Sequence, residues 1–166
     1  MTRFGAFQTD DGERYEIEAF KKMHEHIVHS GARTVVSIRY VTRASTNNAD
    51  RQTRNLAKHE EVKDALDNMV IDGKRHPIIL APTGLLWAEG VDQFVIDAWF
   101  ANTVHGTPLA QHASVCLFFT FITGVDPRES AYVDLHVEER FPDKKLTPDQ
   151  AVWLRERIWS LYQKNQ

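Results

Sequence analysis

The chain has 166 residues, of which 42% are hydrophobic and 26% are charged, and its formal net charge is -3. These values are ordinary for a globular protein and give no reason to expect a disordered or fibrous one, and the slightly acidic balance gives no overall attraction to nucleic acid or to an anionic membrane. The length predicts a single domain over residues 1–166, large enough to bury roughly two thirds of the surface that the unfolded chain exposes.

The single cysteine, Cys116, excludes an internal disulfide and favours a reducing compartment. The stretch from Met1 to Asp11 contains no apolar run, so no secretory signal is expected. No segment approaches the roughly 20 consecutive apolar residues of a membrane span. The sequence therefore predicts a cytoplasmic protein without a membrane partner.

The N-terminal part predicts a helix followed by a strand. Asp10 and Glu13 have the spacing of a helix N-cap and its reciprocal carboxylate, and the helix is expected to run to about Ser30. Gly31 is then placed to take the left-handed conformation that ends many helices. Residues 34–41 alternate in polarity, which predicts the first strand. A second helix is predicted over 51–70, ended by Asp72 and Gly73.

The region from Pro77 to Phe141 predicts a sheet, because short apolar segments follow one another with turn residues between them. The segment 115–122 is apolar on both faces, so we expect an interior strand covered on each side. Turns at Pro82-Thr83-Gly84 and Glu89-Gly90 suggest two hairpins. The predicted strands are, in order, 78–81, 85–88, 94–100, 115–122 and 131–138.

The last predicted element is a helix that begins at Thr147. Thr147 and Gln150 have the spacing of a capping box with Pro148 at the first helical position, and Leu154 and Ile158 lie at the centre of the apolar stripe. The order of elements predicts an α+β fold. Its mainly antiparallel sheet would have about five to six strands, with three helices packed on it.

A metal site at the neighbouring histidines His24, His26 and His29 is disfavoured by helix geometry. His24 and His26 lie about 200° apart around a helix, whereas paired ligands need spacings of three or four residues. The sequence also lacks the phosphate-binding loops, zinc motifs and nucleophile elbows that would imply a known cofactor or a hydrolase. No metal and no organic cofactor are therefore predicted.

The best functional interpretation is a small-molecule pocket between the sheet and the helices, with acid–base chemistry as an option. His136 between carboxylates would be the general base, and aromatic neighbours would shape the ligand site. The polar face of strand 131–138 is alternatively plain solvated surface, which base rates for such strands favour. The candidate catalytic residues are His136, Asp134 and Asp97. The candidate ligand-binding residues are Tyr132, Glu138, Trp99 and His105.

Two further interpretations stay open. The segment Arg39–Lys58 is rich in cations and contains one acidic residue, so it could bind nucleic acid or another polyanion. The residues involved would be Arg39, Arg43, Arg51 and Arg54. The third interpretation is a structural or interaction protein without chemistry. Trp153 and Trp159 beside the stripe of the last helix favour a homodimer, because aromatic residues are enriched at interfaces.

Overall fold

The structure is a computed structural model that describes residues 12–37, 57, 60–94, 96–101, 106–129 and 147–165. Helices dominate these residues. In chain order the elements are α1 (Gly12–His29), β1 (Val35–Ser37), α2 (60–67), β2 (Val70–Ile71), β3 (Lys74–Arg75), β4 (Ile79–Ala81), α3 (Thr83–Gln93), α4 (Ile96–Trp99), α5 (Pro108–Thr123), a 3-10 turn (Pro127–Glu129) and α6 (Pro148–Lys164).

The described residues divide into two compact units. Unit 1 contains α1, the residues that follow it up to Thr34, and the segment from 60 to Ile78. Unit 2 contains β1 and everything from Ile79 onward. The prediction of a single domain stays a prediction. None of the described helices is both long enough and apolar enough to cross a membrane.

Unit 1 is built from α1, α2 and the β2–β3 hairpin. Gly31 has φ 77°, which confirms the predicted left-handed residue after α1. The helix α2 ends at Asp67, and Val70 already belongs to a strand. The predicted helix over 51–70 is therefore too long at its C-terminal end. Asp72 and Gly73 both have positive φ, 50° and 78°, which is the two-residue turn typical of an antiparallel hairpin.

The predicted antiparallel sheet is wrong. Within the described residues, β1 pairs with β4 in parallel, with Val36 opposite Leu80, and the antiparallel pairing of strands is confined to β2 and β3. The predicted strands 85–88 and 115–122 are helical, in α3 and α5, and most of 94–100 is the short helix α4 with its flanking residues. The strand predicted over 131–138 lies outside the described residues.

Two kinds of sequence signal explain why α5 is a helix. Thr107 caps its N-terminus by accepting the backbone N–H of Ala110 at 3.3 Å, and Pro108 takes the first helical position. At the other end Gly124 has φ 73° and its N–H donates to the carbonyl of Thr120. An apolar run with no periodicity fits a buried strand and a helix equally well, so these end signals decide between them.

The predicted turn at Glu89-Gly90 is also wrong, because both residues lie inside α3. A Cβ atom on Gly90 would lie 1.9 Å from Cζ2 of Trp99, so the missing side chain makes room for the indole ring. Gly106 plays the same part for Trp87, whose Cη2 would lie 2.3 Å from an added Cβ. Two glycines therefore let two large aromatic rings approach the backbone of unit 2.

The final helix agrees with its prediction. In α6 the N–H of Thr147 donates to Oε1 of Gln150 at 2.9 Å, and the N–H of Gln150 donates to Oγ1 of Thr147 at 3.2 Å, which completes the capping box. Leu154 and Ile158 are buried, as predicted. The Arg157 guanidinium also donates two hydrogen bonds to the Glu89 carboxylate, which joins α6 to α3.

The core of unit 2 is continuous and rich in aromatic rings. Trp87 lies between Trp99, at 6.2 Å between ring centroids, and Phe100, at 5.3 Å and edge to face. Its indole N–H donates to the Ser114 hydroxyl at 2.9 Å. The buried residues of this cluster are Ile79, Ala81, Leu86, Trp87, Ala88, Val91, Trp99, Phe100, Leu109, Ala110, Ala113, Leu117, Phe121, Leu154, Ile158 and Leu161.

Candidate functional site

Most of the site residues predicted from the sequence lie outside the described residues. This holds for the acid–base group of the 131–138 segment, for the loop histidine and for the basic segment. The small-molecule and polyanion sites built from them stay predictions. The residues concerned are His136, Asp134, Tyr132, Glu138, His105, Arg39, Arg43, Arg51 and Arg54.

Trp99 and Asp97 are placed by the structure in α4 rather than in a strand. Residues two apart share a face of a strand but not of a helix, so the reason for grouping these two residues is lost. Trp99 is fully buried against Trp87 and Trp153, and its indole nitrogen has no hydrogen-bond partner among the described residues. The strands of the described residues form two two-stranded sheets, so the larger sheet that was to form one wall of the predicted pocket is not found among these residues.

Cys116 and His112 are neighbours on successive turns of α5. The Sγ atom of Cys116 lies 3.3 Å from Nε2 of His112, an arrangement that the strand interpretation of this segment did not suggest. Burial raises the pKa of the Cys116 thiol, and the positive charge of Arg155 opposes this shift only in part. Burial also lowers the pKa of His112. Both groups are therefore held neutral, which disfavours the thiolate that a cysteine nucleophile needs.

The three N-terminal histidines have different surroundings within unit 1. His24 is only 1% exposed and its Nδ1 lies 2.7 Å from the Thr34 hydroxyl, whereas His26 and His29 are exposed. Nε2 of His29 lies 3.3 Å from the carboxylate of Asp72. Nowhere in the described part of the chain do three or more His, Cys, Asp or Glu side chains come together in a group that could hold a metal ion.

Burial of His24 makes the stability of unit 1 depend on pH. Burial, the largest cause, and the charge of nearby His76 lower the pKa of His24, while the His76 backbone and Asp67 oppose this shift. The folded state then binds a proton less readily than the unfolded state. The free energy of unfolding should be highest at a pH above about 6.5, the ordinary pKa of histidine. It should fall as the pH drops from that value toward the lower pKa of His24 in the folded state.

The expected slope in that window is at most about 1.4 kcal/mol per pH unit for this one group. The measurement is the unfolding free energy between pH 5 and 8, read from backbone amide signals of α1. His24→Gln should remove the slope, and His26→Gln, on the exposed side of the same helix, should keep it. An equal slope in wild type and His24→Gln would contradict the assignment.

The outward face of α5 is the most unusual surface among the described residues. Val115 is 65% exposed, and Phe119 and Ile122 are each 53% exposed. Val115, Phe119 and Ile122 follow one another at spacings of four and three residues. Phe118 lies beside them, half-buried and packed against the core of unit 2. We call these four residues the α5 stripe.

The helix that carries the α5 stripe contains no charged residue. Over its 16 residues α5 contains neither Asp nor Glu, and neither Lys nor Arg, although 26% of the whole chain is charged. Its opposite face is buried in the core through Ala113, Leu117 and Thr120. The sequence shows that segment 115–122 is apolar on both faces, and the prediction placed both faces inside a sheet, covered on each side.

A helix that is apolar all round and exposed on one side is typical of a surface that another element covers. The α5 stripe is therefore the candidate site that the described geometry supports best. It offers apolar contact and no catalytic group. No protein family model, curated protein or solved structure matches the chain.

Proposed function

We propose that the chain is an interaction protein, and that its α5 stripe docks a helix carrying an apolar stripe of its own. The observation that carries this proposal is the exposure of large apolar side chains on a helix without charged residues. Exposed apolar groups that lie together on one face are typical of protein interaction sites. This is the interaction alternative of the sequence analysis, now with a defined surface.

The spacing of the α5 stripe supports a helix as the partner. Val115, Phe119 and Ile122 occupy positions that repeat by four and three residues, which is the spacing of the seam between two helices packed side by side. Gln111 precedes Val115 by four residues and adds one polar position to the same seam. A polar residue in such a seam favours one register of the two helices over others.

The size of the stripe predicts moderate affinity. A helix of this length is about 24 Å long. Covering the exposed halves of its apolar side chains should contribute about 1 kcal/mol for each. A standard interface buries about 800 Å² on each partner, and one short helix face supplies less than that. We therefore expect binding that depends visibly on concentration.

A labelled helical peptide tests this function without assuming a natural partner. The probe has Ile and Leu at its a and d positions and equal numbers of Glu and Lys elsewhere, and it is kept at nanomolar concentration to remain monomeric. Its fluorescence anisotropy should rise when the full chain is added. Val115→Asp should weaken binding by about tenfold or more, because a carboxylate in an apolar contact loses its hydration.

The matched control is Val152→Asp. Val152 is an exposed valine of α6, so the same charge is introduced at an exposed valine of another helix. This variant should bind the peptide as the wild type does. Peptide binding that is absent at micromolar protein, or that both variants weaken equally, would rule out the α5 stripe as a helix-docking surface.

The other functions stay predictions. The small-molecule site around His136 and the polyanion site around Arg43 both depend on residues outside the described ones. A cytoplasmic location also stays a prediction. The interaction function is supported better, because the residues of the α5 stripe lie within the described part of the chain and their exposure is known.

A further inference from the structure

We propose that the natural partner of the α5 stripe is the α5 stripe of a second copy, so that the chain forms a homodimer with twofold symmetry. This inference rests on the proposed function and names the partner. The sequence analysis expected a homodimer from Trp153 and Trp159 of α6. The interface proposed here lies on a different helix.

The absence of charge on α5 favours a second copy as the occupant. Partner choice between packed helices is commonly set by charged residues that flank the seam, which attract an unlike partner and repel a like one. The helix α5 has no such residues. Its single histidine, His112, is kept neutral because burial lowers its pKa. Nothing on this helix therefore opposes pairing with itself.

An antiparallel arrangement fits the stripe best. Val115 and Ile122 lie four residues before and three residues after Phe119, so the exposed residues of the stripe are nearly symmetric about their centre. Antiparallel pairing would place Val115 of one copy against Ile122 of the other. The exposed Phe119 would then meet its counterpart near the twofold axis, where aromatic side chains pack edge to face. Opposed helix dipoles favour this direction as well.

Both copies contribute the same apolar residues, so the area covered is matched on the two sides. The stripe alone is smaller than the roughly 800 Å² per partner of a standard interface. The dimer should therefore dissociate on dilution. Sedimentation of the full chain over a wide concentration range should show a monomer–dimer equilibrium.

The first arm of the test compares sedimentation of wild type, Val115→Asp and Val152→Asp. Val115→Asp should raise the dimer dissociation constant by about tenfold or more, and Val152→Asp should leave it unchanged. Tryptophan fluorescence checks that each variant is folded, since all four tryptophans lie in unit 2. Equal dimerisation of all three proteins would overturn the inference.

The second arm maps the contact by disulfide trapping in a Cys116→Ser background. Antiparallel pairing predicts that Val115→Cys chains mixed with Ile122→Cys chains form a mixed disulfide-linked dimer under oxidation. Each variant alone should remain largely unlinked, because residues more than 7 Å apart at Cα cannot be bridged. Linking of Val115→Cys to itself, at the expense of the mixed dimer, would overturn the antiparallel arrangement.

The two proposals fail in different ways. A chain that stays monomeric at all concentrations but binds the helical peptide through Val115 retains the docking function and loses the homodimer. A chain that neither dimerises nor binds the peptide loses both. A dimer that Val115→Asp dissociates, together with the mixed disulfide, supports the second copy as the partner.

Discussion

Gly90→Ala is expected to destabilise unit 2 by about 3 kcal/mol or more. The added methyl would lie 1.9 Å from Cζ2 and 2.2 Å from Cε2 of Trp99, far inside a normal contact between carbon atoms. The ordinary gain of about 1 kcal/mol from replacing Gly by Ala in a helix opposes this strain but is smaller. The measurement is chemical denaturation followed by tryptophan fluorescence.

A double-mutant cycle with Trp99→Phe isolates the cause. Phenylalanine lacks the far part of the indole ring, which contains all three atoms closest to the added methyl. Gly90→Ala should therefore cost much less in the Trp99→Phe background than in the wild type. An equal cost in both backgrounds would show that the glycine serves another purpose than making room for this ring.

Replacing Leu154 or Ile158 by alanine is expected to lower the free energy of unfolding by about 2 to 5 kcal/mol. Both side chains are buried in the core of unit 2, so each truncation removes apolar contacts and leaves a cavity. Denaturation with tryptophan fluorescence again provides the measurement. Losses below about 0.5 kcal/mol at both positions would remove α6 from the core.

Val152→Ala is the matched control on the same helix. Val152 is exposed, so removing its methyl groups should change the unfolding free energy by no more than about 0.5 kcal/mol. A large effect at this position would mean that the exposed side of α6 also carries packing. In that case the losses at Leu154 and Ile158 would not report on burial alone.

The C-terminal end of α1 and the N-terminal end of α6 were the parts of the fold that could be predicted from local chemistry. The capping box of Thr147 and Gln150 and the left-handed Gly31 depend on single residues and short spacings, and both are present in the structure. Such signals act within one turn of the chain, so no tertiary contact is needed to interpret them.

The sheet prediction failed where tertiary packing decides. Gly90 suggested a turn because glycine is common in turns, yet it lies inside α3, where the approach of Trp99 requires a residue without a side chain. That contact joins two elements and leaves no trace in local spacing. Apolar residues at every position of 115–122 likewise gave no period, and the capping signals at Thr107 and Gly124 were the available evidence for α5.

The candidate site was missed for the same reason. A strand covered on both sides has no exposed face, so assigning 115–122 to a sheet concealed the α5 stripe. Helical spacing would have grouped Val115, Phe119 and Ile122 on one face. Whether that face is covered depends on which other elements pack against α5, and sequence spacing does not give that information.

The order of the two units along the chain has a consequence for folding during synthesis. Every described residue of unit 1 precedes Ile79, so this unit is complete before β4 is made. β1 belongs to unit 2 but emerges early, and its pairing partner follows only after the hairpin of unit 1. Unit 2 also needs Leu154 and Ile158 from α6, far along the chain. We therefore expect unit 1 to fold on the ribosome first, while β1 exposes an unpaired strand edge until β4 has been made.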